Sequence, residues 1–425
     1  MHLPVLDIRS VAERGLCCGC GACAVLAPDR ITMIDAKRSG RRPLVRGDEP
    51  VLGDAAKVCP GASVTRDGPL DPATIPSLRD AFGPVLKLYE GWATDKAVRW
   101  RGSSGGVATA LGLHALERMN VHGVLHAGFR EGEPLLNTTY LSRSRADIEA
   151  RAGSRYAPAS PCDGLDRIME APGSCLFVGK PCDVLAVQRT RRLRPELDAK
   201  LDVVVAFFCA GTPGTEGSEA MLAAMGMPTG SQLLSLHYRG EGWPGRARAR
   251  WIDPSGKEGE GSLTYDQAWG EVLVPHKQWR CNLCVDHTGE FADIAVGDPW
   301  HSPPKDGNEV GRSLVLARTP AGLARLEAAV RDGYLHLEEV APDCLPRAQR
   351  WLIAARGSVW GRTIALRTLG VAAPVHRGLP MFRFWRSELS FKAKVQSIFG
   401  TWRRIFTKGL RKRKPVEPWR GPAGR

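Results

Sequence analysis

The chain has 425 residues, 43% of them hydrophobic and 24% charged, with 12 cysteines and a formal net charge of +14. This is the make-up of an ordinary globular protein with room for two or three domains, which argues against a disordered or membrane-spanning class. The charge invites a nucleic-acid reading, but from His376 onward 14 Lys or Arg face only Glu388 and Glu417, leaving +2 for the preceding 375 residues. The basic character therefore belongs to a tail, and the body offers no basic face for nucleic acid.

Met1 to Gly15 mixes charges among apolar residues and has no signal-peptide core. The longest apolar run, Leu201 to Gly211, contains Asp202 and is too short to span a bilayer. A cytoplasmic protein is expected, and in a reducing cytosol its cysteines read as thiolates for metal or redox work.

The first cysteine set is Cys17-x-x-Cys20-x-x-Cys23, the opening of a bacterial ferredoxin motif in which closely spaced thiolates wrap a 4Fe-4S cube. The full motif ends in Cys-Pro, but Ala27-Pro28 stands at that position. In two-cluster ferredoxins the fourth cysteine of a run serves the other cluster, so a single-cluster chain needs a distal Cys-Pro, and Cys59-Pro60 supplies it. The expected ligands are Cys17, Cys20, Cys23 and Cys59, within a small ferredoxin-like domain over 1–70. Zinc also takes four thiolates, usually as two C-x-x-C pairs, and is the competing reading.

A Pro- and Asp-containing connector follows over 71–85. From Leu86, short apolar runs (Val121–Leu125, Cys175–Val178, Leu201–Phe208, Ile294–Val296) alternate with helical stretches (Gly106–Arg118, Cys182–Arg192, Pro320–Asp332). That alternation predicts an α/β core over 86–375. The segment from His237 to Leu273 reads as antiparallel ribbons or loops. Ser103, Ser104, Gly105 and Gly106 lead into a helix, where exposed amides and small side chains suit a phosphate or pyrophosphate. Ser154, Arg155 and Tyr156 add a cation and a ring.

Cys182, after Gly179-Lys180-Pro181, and Cys209, after Val203–Phe208, fall at expected carboxyl ends of strands, where open α/β sheets place ligands. Cys281-x-x-Cys284 alone is ambiguous between metal, dithiol and no role. Buried free cysteine is common, so only the convergence of these four is informative. Cys18, Cys162, Cys175 and Cys344 remain as structural residues.

Taken in order, Ser103-Ser104-Gly105-Gly106-Val107, Gly179-Lys180-Pro181-Cys182, Phe208-Cys209, Arg280-Cys281-x-x-Cys284-x-Asp286 and Ala292-Asp293-Ile294-x-x-Gly297-Asp298-x-Trp300 resemble the beta subunit of coenzyme F420 hydrogenases and dehydrogenases. That family also takes in 7-hydroxymethyl chlorophyll a reductase and the ferredoxin-dependent divinyl chlorophyllide 8-vinyl reductase. The resemblance covers roughly residues 10 to 360. It implies an FAD-binding catalytic domain and two 4Fe-4S clusters, with Ser103, Ser104, Gly105, Gly106, Ser154, Arg155, Tyr156 and Lys180 holding FAD. Cys182, Cys209, Cys281 and Cys284 would ligate a cluster beside it. Lys180 departs from the family's usual Thr; it would stabilise a reduced, anionic ring or stand as a solvated side chain.

The expected activity is that of an iron–sulfur flavoprotein oxidoreductase. Electrons would pass between ferredoxin or another one-electron carrier and a small two-electron substrate, such as F420, a tetrapyrrole or a polysaccharide-pathway intermediate. The alternatives are an electron-relay subunit of a larger complex and a zinc-stabilised, non-enzymatic binding protein. No proton donor is assigned; Asp286, Asp298 and His301 are expected to make structural hydrogen bonds.

In the tail, 376–425, apolar residues at 391, 395, 398, 399, 402, 405, 406 and 410 have helical spacing and are interleaved with Lys and Arg. A basic amphipathic helix of this kind suits an anionic membrane surface, or a helix docked on the body with a basic end.

Overall fold

The computed structural model describes residues 7–36, 39–304 and 309–419; the extreme ends of the expected 1–70 and 376–425 segments lie outside them. Eight strands form the central sheet: β1 (Lys87–Ala93), β2 (Gly123–Arg130), β3 (Glu133–Ser142), β4 (Cys175–Gly179), β5 (Leu201–Phe207), β6 (Ile294–Gly297), β7 (Ser313–Ala317) and β8 (Leu335–Glu339). Their order is β8-β1-β7-β6-β5-β4-β2-β3. The adjacent strands β6, β5, β4 and β2 run parallel, while both flanks are antiparallel. The parallel strands read as continuous apolar runs because both sheet faces are covered. Phe177, Ala206, Leu314 and Leu316 pack into one layer and Leu176, Val205, Val296 and Val315 into the other.

The helical stretches form as the spacing predicts: α1 (Val107–Arg118), α2 (Pro181–Arg191) and α3 (Pro320–Arg331). Pro181 stands in the first turn of α2, where no amide partner is lost, and the Asp183 carboxylate accepts the Lys180 amide at 2.9 Å. The 237–273 segment, read as ribbons or loops, carries strands 247–252 and 258–263, which join strand 232–237 in an antiparallel sheet, and then a π-type helical turn, Asp266–Leu273.

The connector over 71–85 is packed rather than free. It carries a helix, Pro76–Phe82, whose Leu78 and Phe82 are buried. Arg318 clamps it to the body by donating to Phe82 O (2.8 Å), Pro84 O (2.7 Å) and Thr288 O (2.8 Å). The amino-terminal region contributes a hairpin (31–36 with 40–45) and a short strand, 63–65, paired in parallel with 375–377. Its core is shared with the carboxyl-terminal end: Leu16, Cys17, Cys23 and Cys59 pack with Leu366, Ile405 and Leu410. The last helices are α4 (Arg350–Thr368), α5 (Met381–Ser387) and α6 (Phe391–Thr407). No helix among the described residues is long and apolar enough to cross a membrane.

Candidate functional site

A cavity of about 480 Å³ opens at the carboxyl ends of β4, β5 and β6, lined there by Lys180, Phe208, Cys209, Gly297 and Asp298. Parallel strands direct their carboxyl ends to one edge of the sheet, so residues far apart in sequence converge on one crevice. Ser103, Ser104, Gly106, Ser154, Arg155, Tyr156 and Lys180 all line it. Gly105 stands behind the wall, where its amide donates to Ser313 Oγ at 2.9 Å.

Gly106 caps α1 at φ +73°, and a Cβ there would lie 2.8 Å from Val98 O. Only glycine fits that turn, which delivers the start of α1 to the cavity. The Ser154 amide donates to Ser103 Oγ at 2.9 Å, joining the two predicted loops. Arg155 is committed to the protein, donating to Asn137 Oδ1 (2.8 Å), Leu236 O (2.8 Å) and Pro134 O (2.6 Å), so it braces the wall.

Lys180 is buried and its Nζ lies 2.7 Å from Asp183 Oδ2. Burial opposes its charge, but the Asp183 carboxylate, followed by the neighbouring thiols, holds its proton affinity above the ordinary lysine range. Burial also pushes Asp183 up to about 6, against the pull of Lys180. Lys180 is thus a fixed, paired cation in the cavity wall, not a solvated side chain.

Around Tyr156 and Asp298 the cavity has partners that were not assigned from sequence, Arg239 and Tyr265 among them. Arg239 makes a two-pronged pair with Asp298, both contacts 2.9 Å, and also donates to the Tyr156 hydroxyl at 3.2 Å. Trp243 Nε1 donates to the same carboxylate at 2.9 Å. Tyr265 stacks on Trp300 at 5.2 Å, and Arg239 lies over the Tyr265 ring. The aromatic richness of 238–269 was the available signal, but nothing in the spacing joined it to the glycine loop. Asp286 and His301 take the structural roles expected of them. Asp286 accepts the amides of Thr288, Gly289 and Glu290, and His301 pairs with Glu90 at 2.7 Å.

Cys17, Cys20, Cys23 and Cys59 line one small second cavity, together with Cys18. The Gly19 amide donates to Cys17 Sγ at 3.3 Å. Burial pushes the Cys59 thiol up to about 12, so any metal bound there would have to displace its proton.

The inner four divide. Cys209, Cys281 and Cys284 influence one another electrostatically, and burial holds Cys209 and Cys284 at about 12. The Thr212 amide donates to Cys281 Sγ at 3.3 Å. Cys182 faces the amino-terminal set instead. Its thiol lies near enough to Cys18 for the two to shift each other's proton affinity, Cys18 does the same with Cys20, and Cys20 with Cys162. Cys18 and Cys162, read from sequence as structural, thus stand between the two sets.

Arg280 is buried nearby, with Nη2 donating to Pro60 O at 2.8 Å, while its Nε and Nη1 have no protein partner. Its charge reaches Cys17, Cys18 and Cys284. A buried cation with spare donors between thiol groups fits a negatively charged thiolate cluster. Among the described residues, no three His, Cys, Asp or Glu side chains converge closely enough to hold a single ion. A cube asks for a wider spread, because each thiolate binds a different iron.

These features define a mixed α/β protein with a cofactor-sized crevice at the switch from parallel to flanking strands. Residues 88–165 match the family "Coenzyme F420 hydrogenase/dehydrogenase, beta subunit N-term", and residues 173–343 match the carboxyl-terminal half of the same family, together more than half of the chain. The chain is 25% identical over 284 residues to coenzyme F420 hydrogenase subunit beta of Methanosarcina barkeri, covering 61% of this chain and 85% of that one. It is 24% identical to the subunit of the same name from Methanococcus voltae, over 69% and 99% of the two chains. A chain in the F420-reducing [NiFe] hydrogenase complex from Methanosarcina barkeri shares the fold, with a TM-score of 0.52 and 22% identity over 72% of this chain and 98% of that one. The chain belongs to the coenzyme F420 hydrogenase/dehydrogenase beta-subunit family, which places it among redox subunits of oxidoreductases. The first cysteine set and the basic tail lie outside the matched residues.

Proposed function

We propose that the chain is an FAD- and 4Fe-4S-dependent oxidoreductase that passes electrons between a one-electron carrier such as ferredoxin and a small two-electron substrate. The observation that carries this reading is that Cys17, Cys20, Cys23 and Cys59 gather in one small cavity while Lys180 and Cys209 line the large one, with Cys18 and Cys182 near each other between them. Cys17, Cys20, Cys23 and Cys59 would hold an outer cluster. Cys209, Cys281 and Cys284, with Cys182 as the fourth candidate, would hold an inner one.

The crevice formed by Ser103, Ser104, Gly106, Ser154, Tyr156 and Lys180 would seat FAD. The start of α1 offers its amides to the pyrophosphate, and Lys180, its charge balanced by Asp183, holds an ammonium donor fixed in the wall. A bound flavin takes electrons singly and releases two together, which is what joining one-electron centres to a two-electron substrate requires.

A second reading, an electron-relay subunit of a larger complex, is favoured by the names of the relatives, which are hydrogenase subunits. Anaerobic purification with iron, sulfide and flavin quantification tests both. Two clusters and one FAD per chain are expected, with turnover of F420 or a tetrapyrrole by the purified chain under the first reading. Both cofactors without turnover favour the relay, and a colourless zinc protein without iron or flavin overturns both.

A further inference from the structure

The sequence pattern treats the apolar residues of α6 as one face, but the fold divides them into two. Ser397, Thr401 and Ile405 are at most 4% exposed, on the side by which α6 packs against α4, and Ser397 also meets α5. The approach is close: a Cβ at Gly361 would lie 2.1 Å from Ser397 Oγ. Trp402 Nε1 donates to Ala365 O and Trp385 Nε1 to Ser397 Oγ, at 3.2 and 3.1 Å. The helix is therefore anchored through its small and polar side.

Phe391, Val395 and Phe399 recur every four residues on a different side, with Phe406 in the same stripe. They are 82%, 36%, 58% and 64% exposed. Phe382, on the neighbouring helix α5, is 50% exposed as well. Lys392, Arg403, Lys408 and Lys412 are exposed in the same segment. From Leu389 to Val416 the chain holds nine Lys or Arg and no Asp or Glu.

We infer that the outer face of α6, carrying Phe391, Val395, Phe399 and Phe406 with Lys392 and Arg403, docks on an anionic lipid surface. Phe and other large apolar side chains on one face, flanked by Lys and Arg, suit insertion at the headgroup boundary of a bilayer. Apart from Arg413, which pairs with Glu13 at 3.7 Å, the single-signed charge of the segment has no carboxylate of its own and matches a uniformly negative plane. Because α6 is held by its other side, docking needs no unfolding of the tail.

Flotation of the anaerobically purified full-length protein with vesicles tests this. The protein is expected to float with phosphatidylcholine vesicles containing phosphatidylglycerol. Binding should fall about tenfold or more with pure phosphatidylcholine or at high salt. Replacing Phe391→Ser, Phe399→Ser and Phe406→Ser together should abolish flotation while iron and flavin content stay at wild type, which shows that the variant is folded. Lys392→Gln with Arg403→Gln should weaken binding and flatten its salt dependence. Wild-type protein that stays at the bottom of the gradient, or Phe variants that still float, overturns the inference. So does a wild-type dimer, seen by light scattering, that the Phe substitutions dissociate, since a second copy then covers the face.

Discussion

The thiols of Cys18 and Cys182 are close enough in the folded chain to shift each other's proton affinity, and Cys20 acts on Cys18 in the same way. This contact joins the turn at the start of α2 to the amino-terminal cysteine cavity. If the outer cluster is held by Cys17, Cys20, Cys23 and Cys59, Cys59→Ala should remove about half of the bound iron. Cys18→Ala should leave iron and sulfide close to wild type. Anaerobic metal analysis of the two variants decides the matter, and equal losses would make Cys18 a ligand.

Gly106 carries the turn that delivers α1 to the large cavity. Gly106→Val should cost about 1–3 kcal/mol through its left-handed backbone, and more through the clash with Val98 O. Flavin absorbance after desalting should drop with it. Gly132 has a similar φ of +77° but open space around its Cβ position. Gly132→Ala should therefore lower the melting temperature slightly and leave flavin in place.

Arg239 is buried and its partner Asp298 half-buried, and Arg239 keeps two further acceptors, Pro244 O at 2.5 Å and the Tyr156 hydroxyl at 3.2 Å. Asp298→Ala strands the guanidinium and should destabilise the chain by about 3–5 kcal/mol. Asp298→Asn preserves an acceptor oxygen and should cost less. Urea midpoints should rank wild type above D298N and D298N above D298A; a reversed order would show that Arg239 is not held by this carboxylate.

Burial pushes the His376 imidazole down to about 3. The unfolded chain, with an ordinary histidine near 6.5, binds the proton first as pH falls. This contribution to stability is therefore full above about pH 6.5 and is lost progressively toward pH 3, by up to about 1.4 kcal/mol per pH unit. Comparing His376→Leu with wild type by denaturant midpoint at neutral pH and near pH 5 isolates it. The variant should lose less on acidification, and parallel losses would count against a neutral, buried His376.

The α/β class, the order of the central strands along the chain and the first cysteine set were legible in the sequence, each for a local reason. Strand–helix alternation follows from apolar period, the Cys-x-x-Cys-x-x-Cys spacing from the reach of a turn, and the loop of small residues before α1 from the close approach they permit. These depend on neighbours a few residues apart. The same holds for the helix over 391–407, whose spacing was visible but whose two apolar sides were not.

Tertiary structure alone decided which distant residues meet. Cys182 faces Cys18, Lys180 is closed onto Asp183, and Arg239 reaches across to Asp298, because the carboxyl ends of β4, β5 and β6 share one edge of the sheet. The strand 375–377 returns to pair with 63–65, and Ile405 packs in the same core as Cys59. No periodicity encodes such pairings. They are chosen by which apolar surfaces can be covered together, and that is a property of the whole chain.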